Sequence, residues 1–338
     1  MNPHQFVCRE DGQVITEELF GDQIVRFLYS EAREKAPALF QMLTGERASD
    51  LLGLLNFDLP LSATFSGSQR FLKARGVDLE ESLISANEMK TPRDFFERKI
   101  CYWKSRPMPE DSEVVVSPAD SRMIVGGLSE VSYLKIKDKF FKLNELLGTD
   151  RTDLHTIFHE GDFAIFRLTP EMYHWNHVPV SGVVRDIYTL DGDYHSCNPG
   201  AVVKMVTPYS SNRRVVTIID TDVPHGSWVG RVAMVEIVAL MIGGIDQRYS
   251  QQKYDSPTDV VPRMFLKKGQ PKSLYRPGSS TDVLIFEPGR LEFDQDLVSF
   301  RSRSDVQSRF NAFGGHLNET EVKVRQSIAR KIGGQGRS

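Results

Sequence analysis

The stretch Tyr275-Arg276-Pro277-Gly278-Ser279-Ser280-Thr281-Asp282-Val283-Leu284-Ile285-Phe286 decides how this chain is read. Its second half is an apolar run of strand-forming residues, and its first half carries Pro277 and Gly278, which punctuate a turn. A turn entering a buried strand is the pattern that recurs through the rest of the sequence. Glu113–Val116, Met123–Val125, Phe163–Leu168, Val215–Ile219 and Val232–Ile242 all read as strands, at the spacing of a sandwich or barrel. One helix interrupts them, at Leu143–Leu147. No Gly-rich loop opens a helix after a strand, which excludes the nucleotide-binding α/β folds.

Upstream the period changes. Phe20, Ile24, Phe27 and Leu28 fall at helical spacing, with Thr16 as N-cap and Glu17 and Glu18 suited to the positive end of a helix dipole. Short helices are expected at Pro37–Leu43, Ser49–Leu55 and Ser68–Ala74. The expected fold is therefore α+β: a mainly antiparallel β core, sandwich- or barrel-like, over residues 113–338, with a helical N-terminal region over residues 1–112.

Bulk properties narrow the class. With 338 residues, 40% hydrophobic and 26% charged, the chain is globular. A net charge of −3 gives no general field for nucleic acid. Cys8, Cys101 and Cys197 are odd in number and far apart, so neither a disulfide framework nor a metal spacing is expected, and a reducing, intracellular setting fits. The longest apolar run, near Ile237–Ile245, is about half the ~20 residues of a membrane span, so any membrane attachment is expected to be peripheral. Leu51–Phe57 is apolar nearly all round and has Arg70, Lys73 and Arg75 nearby. It reads as a buried helix, or as one resting on an anionic lipid surface.

Three groups of residues carry chemistry. Gly278 before Ser279 permits backbone angles closed to other residues. A serine hydroxyl can attack the carbonyl before it, turning the amide into an ester. β-Elimination and hydrolysis then leave a pyruvoyl group on the new end. Asp120, in Ser117-Pro118-Ala119-Asp120, lies between two apolar strands, where a carboxylate can be buried and orient a histidine. His174 and His177, in Tyr173-His174-Trp175-Asn176-His177-Val178-Pro179, lie three apart and face opposite ways if extended. That is a poor metal grip but suits acid–base work, and no metal is expected. His155, His159, His195, Cys197 and His225 read as turn, surface or structural residues.

Taken with Phe95-Phe96-Glu97-Arg98, Arg106-Pro107, Asn212-Arg213-Arg214-Val215 and Lys268-Gly269-Gln270, these motifs resemble, in order, those of the phosphatidylserine decarboxylase proenzymes. The resemblance covers residues 15 to 315. It implies a self-cleaving, pyruvoyl-dependent decarboxylase that makes phosphatidylethanolamine and CO2 from phosphatidylserine through a Schiff base. By resemblance Asp120 and His177 activate Ser279, Ser279 becomes the pyruvoyl cofactor, and His174 serves decarboxylation. Cleavage between Gly278 and Ser279 would leave a β chain, 1–278, and an α chain, 279–338, as each other's partners at a membrane surface. The pattern departs from the family's at Ser121, Trp175, Ile237-Val238-Ala239 and Ser280, the strand after Ser279 being one residue longer. Two rival readings stand beside it. One is a cytoplasmic pyruvoyl enzyme acting on a free amino acid, with Trp175 in its pocket wall. The other is a β-rich binding protein that never matures. The oligomeric state, a homo-oligomer included, is left open.

Overall fold

The computed structural model describes residues 3–19, 78–85, 88–129, 139–205, 207–239, 244–278, 280–313 and 315–333. The predicted stripe Phe20, Ile24, Phe27 and Leu28, the helices expected between residues 37 and 74, the Leu51–Phe57 segment with Arg70, Lys73 and Arg75, and Ser279 itself lie outside the described residues.

The described residues form sixteen strands. In chain order the first eight are β1 (Gln5–Cys8), β2 (Val14–Thr16), β3 (Val114–Val116), β4 (Ser121–Gly127), β5 (Asp162–Leu168), β6 (Trp175–His177), β7 (Gly182–Leu190) and β8 (Arg214–Asp220). The remainder are β9 (Arg231–Val238), β10 (Ile245–Gln247), β11 (Phe265–Leu266), β12 (Pro271–Tyr275), β13 (Ser280–Phe286), β14 (Leu291–Phe293), β15 (Glu319–Val322) and β16 (Ser327–Lys331). Ten of them make one sheet in the order β11-β7-β8-β9-β13-β5-β4-β15-β1-β2, antiparallel throughout except where β1 meets β15. The sheet keeps two edges, β11 and β2. The core is thus an open sheet with smaller sheets packed around it, and the barrel alternative is set aside.

The strand read first from sequence is the middle of this sheet. β13 pairs over its whole length with β5 on one side and β9 on the other. Its alternate residues serve two cores, which is why the run is apolar without a break. Val283 and Ile285 join Phe163, Ile165, Val235 and Ile237 on one face, under the helices Leu143–Leu147 and Thr152–Phe158 and the turn Arg309–Phe313. Leu284 and Phe286 join Ala164, Phe166 and Met234 on the other, against Val115, Leu291 and Ile328 of the small sheet β14-β16-β3.

Two expectations change. Thr16 is not an N-cap: Val14–Thr16 pairs antiparallel with Gln5–Val7 across a turn at Gly12, whose φ is +71°. Glu17 is drawn inward by the Arg167 guanidinium, 2.6 Å away. The N-terminal region thus begins with two strands of the main sheet. The strand expected to reach Ile242 ends at Val238, whose carbonyl accepts from the Asn212 side chain.

Candidate active site

The third sheet, β10-β12-β6, carries the histidines, and the chain leaves its strand β12 at Tyr275 to enter β13 at Ser280. A capping box starts the short helix Pro92–Phe96: Thr91 accepts from the Asp94 amide and the Asp94 carboxylate accepts from the Thr91 amide. The helix buries Phe95 and Phe96. Arg98 anchors it, its guanidinium donating to the carbonyls of Phe95, Glu171 and Met172 at 3.0–3.1 Å.

His174 is fully buried, and its ring stacks on Phe96 with centroids 3.5 Å apart. Nδ1 lies 2.8 Å from the Met172 carbonyl, so that nitrogen carries the proton. Nε2 then holds a lone pair, is buried, and has no hydrogen-bond partner. Burial, followed by the nearby Arg98 cation, lowers the His174 pKa to about 3, so the ring is neutral at pH 7.

His177 is equally buried but differently held. Nδ1 donates to the Gly269 carbonyl at 2.9 Å, leaving Nε2 to accept from the Tyr173 hydroxyl at 2.9 Å. Tyr173 lies 2.7 Å from the Tyr254 hydroxyl, which is itself fixed by both backbone groups of Ile100. Burial lowers the His177 pKa to about 3 despite its hydrogen bond to Gly269. The Lys268-Gly269-Gln270 motif thus has a physical reason. Gly269 has φ +75°, and a Cβ there would meet the Met108 sulfur at 2.2 Å. Lys268 donates to the carbonyls of Asp111 and Val114, and Gln270 accepts from the Tyr102 hydroxyl at 3.0 Å.

Asp120 is buried close by, but not on the imidazole. Burial works to raise its pKa, and the bidentate Arg106 guanidinium (2.7 and 3.1 Å) with the Val324 amide (2.7 Å) more than offsets that, so it stays a carboxylate. Its loop reaches β6 through the backbone, where the His177 amide donates to Pro118 at 2.8 Å. The carboxylate expected to set the histidine tautomer leaves that task to the Gly269 carbonyl. Trp175 packs against Tyr254 and donates to the Glu97 carbonyl, so it belongs to the core beneath the site.

Between β12 and β13, Gly278 has φ +154°, a backbone state that suits glycine. The link is bracketed by Tyr275, whose hydroxyl lies 2.9 Å from the Thr281 carbonyl and 2.8 Å from Asp282 Oδ1. Beneath it is a buried network that the sequence reading passed over. Glu236 of β9 accepts from Lys272 (2.7 Å), Asn176 and Gln247 (both 3.1 Å), and from Ser273. It ties the histidine sheet to the main sheet. Asp282 faces Glu236 across the strands, and burial, then Glu236, pushes its pKa up, so it is a neutral acid with Oδ2 unpartnered. The signal for both was a lone carboxylate inside an apolar strand run.

Among the described residues one cluster has metal-like spacing, His4, Glu17 and Glu319. Arg167 already occupies both carboxylates, and His4 Nδ1 accepts from the Arg309 amide, which leaves Nε2 to donate to Glu319. It is an ion-pair network.

A self-processing β-rich proenzyme is the class these features suggest, and comparison with known proteins gives the family. The family model described as phosphatidylserine decarboxylase matches residues 93–310. A phosphatidylserine decarboxylase proenzyme of Chlamydia trachomatis serovar L2 is 30% identical over 97% of both chains. Another, of Fusobacterium nucleatum, is 27% identical over 93% of this chain and 98% of its own. The phosphatidylserine decarboxylase proenzyme 2 of Komagataella phaffii is 30% identical over 81% of this chain and 24% of its own. The chain belongs to the phosphatidylserine decarboxylase family.

Proposed function

We propose that this protein is a proenzyme that cuts its own backbone in the Gly278-Ser279-Ser280 run and then decarboxylates phosphatidylserine to phosphatidylethanolamine. The observation that carries the reading is His174: a neutral, buried imidazole whose Nε2 has no partner, beside the link between β12 and β13. Such an atom can take and return a proton in a space closed to water. The residues around the link suit a pyruvoyl group derived from the chain, which supplies the electron sink for loss of CO2. Phe96 and Arg98 hold the His174 ring, and Tyr173 with Gly269 holds His177 in one tautomer. Asp120 and His177 are the proposed activators of self-cleavage, Asp120 through the loop it anchors, with Ser279 the nucleophile that the sequence nominates. The same reading divides the chain at residues 112 and 113, with β1 and β2 lent to the main sheet.

Membrane contact is proposed as peripheral, through Leu51–Phe57 and its neighbouring cations. Among the described residues no helix is long and apolar enough to cross a membrane. Seven register pairs on each side of β13 support a further expectation: the two pieces stay together after cleavage. The purified protein should run as two chains under denaturing conditions and as one particle under native ones. Incubated with phosphatidylserine vesicles it should release CO2 and form phosphatidylethanolamine. His174→Ala should still cleave but lose turnover by about 100-fold or more, the size expected for a missing acid–base group. Full turnover in that variant, or release of CO2 from free serine with none from the vesicles, would overturn the reading.

A further inference from the structure

We propose that the internal nucleophile is the hydroxyl of Ser280, so that the chain is cut between Ser279 and Ser280. This deepens the self-cleavage reading, rests on it, and moves the nucleophile from Ser279, which the sequence nominates, to its neighbour. Ser280 is 1% exposed, and its Oγ has no hydrogen-bond partner. A buried hydroxyl left unpaired is unfavourable, and each one in a native structure calls for a reason.

Its direction is fixed by the strand. Ser280 is the first residue of β13 and pairs with Leu168 and Val238. Directly paired residues share a face. Leu168 packs with Phe96, Ala119 and Tyr275, and Phe96 is the ring on which His174 stacks. Asp282, two residues on and therefore on the same face, meets Tyr275 of the histidine sheet. Thr281, between them, points to the opposite face, with Val283 and Ile285. Three of the buried atoms without a partner, Ser280 Oγ, His174 Nε2 and Asp282 Oδ2, thus lie on one side of the main sheet.

The chemistry balances without an outside oxidant or reductant. Ser280 Oγ attacks the Ser279 carbonyl carbon and gives its proton to a base. The amide C–N bond breaks as the ester C–O bond forms, and the released amine takes the proton back. Removal of the Ser280 Cα proton then expels the Ser279 carboxylate and leaves dehydroalanine at position 280. That tautomerises to an imine, and one water replaces the nitrogen, which leaves as ammonia. The new N-terminal group then derives from residue 280, and the larger piece ends at Ser279.

The test is the mass of the two pieces and the fate of two variants. Wild type should give a small piece lighter by one serine residue than cleavage before Ser279 would give, and a large piece heavier by as much. Ser279→Ala should cleave, and Ser280→Ala should stay whole through an incubation that cuts wild type completely. A urea midpoint for Ser280→Ala checks that it folds, and Ser280→Cys, which keeps a nucleophile there, should regain cleavage. A whole Ser279→Ala chain, or a large piece ending at Gly278, overturns the assignment while leaving self-cleavage standing. A wild-type chain that never cuts removes both.

Discussion

Two buried charged networks lie on opposite faces of the main sheet, and they are built to different standards. On one face Arg167 of β5 holds Glu17 and Glu319, and His4 closes the group. Every polar side-chain atom in it has a partner, and each contact ties the N-terminal strands or β15 to the centre of the sheet. On the other face Glu236 holds Lys272, Ser273, Asn176 and Gln247, but it also faces Asp282, a second buried carboxyl whose Oδ2 has nothing to bond. A satisfied network contributes one stable arrangement, whereas a half-satisfied one is unfavourable and persists where something else requires it. The second network lies under the link between β12 and β13, where cleavage is proposed. Perturbed groups of this kind collect at functional sites.

Breaking the first network should have the largest effect. Arg167→Met would leave two carboxylates, with side chains 4% and 2% exposed, facing each other without a cation. Removing one member of a buried ionic group typically destabilises by about 3–5 kcal/mol. Urea unfolding should register a loss of that size. The matching change, Lys272→Met, should be milder, because Glu236 keeps neutral donors from Ser273, Asn176 and Gln247. Equal losses would remove the distinction between the two networks.

Tyr275→Phe comes next. The hydroxyl accepts from the Ile237 amide at 3.2 Å and has one proton to give to Thr281 or Asp282. Its removal leaves the buried Ile237 donor short of that partner, for a loss of about 1–3 kcal/mol. Because Tyr275 and Asp282 bracket the link, the variant should also cleave more slowly than wild type. An unchanged cleavage rate with lowered stability would make the tyrosine purely structural.

What could be read from sequence divides along the same line. β4, β5, β8, β9 and β13 were legible because burial on both faces makes their runs apolar, and the helix Leu143–Leu147 fell where expected. β1 and β2 were not, since they are short and mixed in character and exist through pairing with β15, some three hundred residues away. His174 and His177 stood out by motif, and the structure brings both to the sheet beside the link. Their holders Gly269, Tyr173 and Phe96 lie in motifs of the same set, but that they hold the two rings shows only once three separate segments fold together. Asp120 was legible as a buried carboxylate, but its partner Arg106 and its distance from the imidazole ring follow from tertiary packing. Glu236 and Asp282 were visible as charges inside apolar strands and are intelligible only when paired across β9 and β13.

The smallest effect tests the sign of the comparison. Glu17 and Glu319 have pKa values below the ordinary carboxylate range: burial opposes this, and Arg167 outweighs it. A carboxyl lowered on folding contributes stability that is present above its unfolded pKa and lost as pH falls through its folded one. Asp282 is raised instead, by burial and then by Glu236, with Tyr275 and Lys272 opposing. Above the unfolded value of 3.8 the unfolded chain has released this proton and the folded chain has not, so the Asp282 term weakens the fold as pH rises. Asp282→Asn removes that term and keeps an acceptor for Tyr275. The variant should therefore gain on wild type between pH 5 and pH 6 by at most about 1.4 kcal/mol, the limit for one proton over one pH unit. The two buried histidines titrate alike in both proteins and cancel from the difference. A gap between variant and wild type that stays constant, or closes, over that unit would mean that Asp282 is ionised in the folded protein. The two networks would then be of one kind.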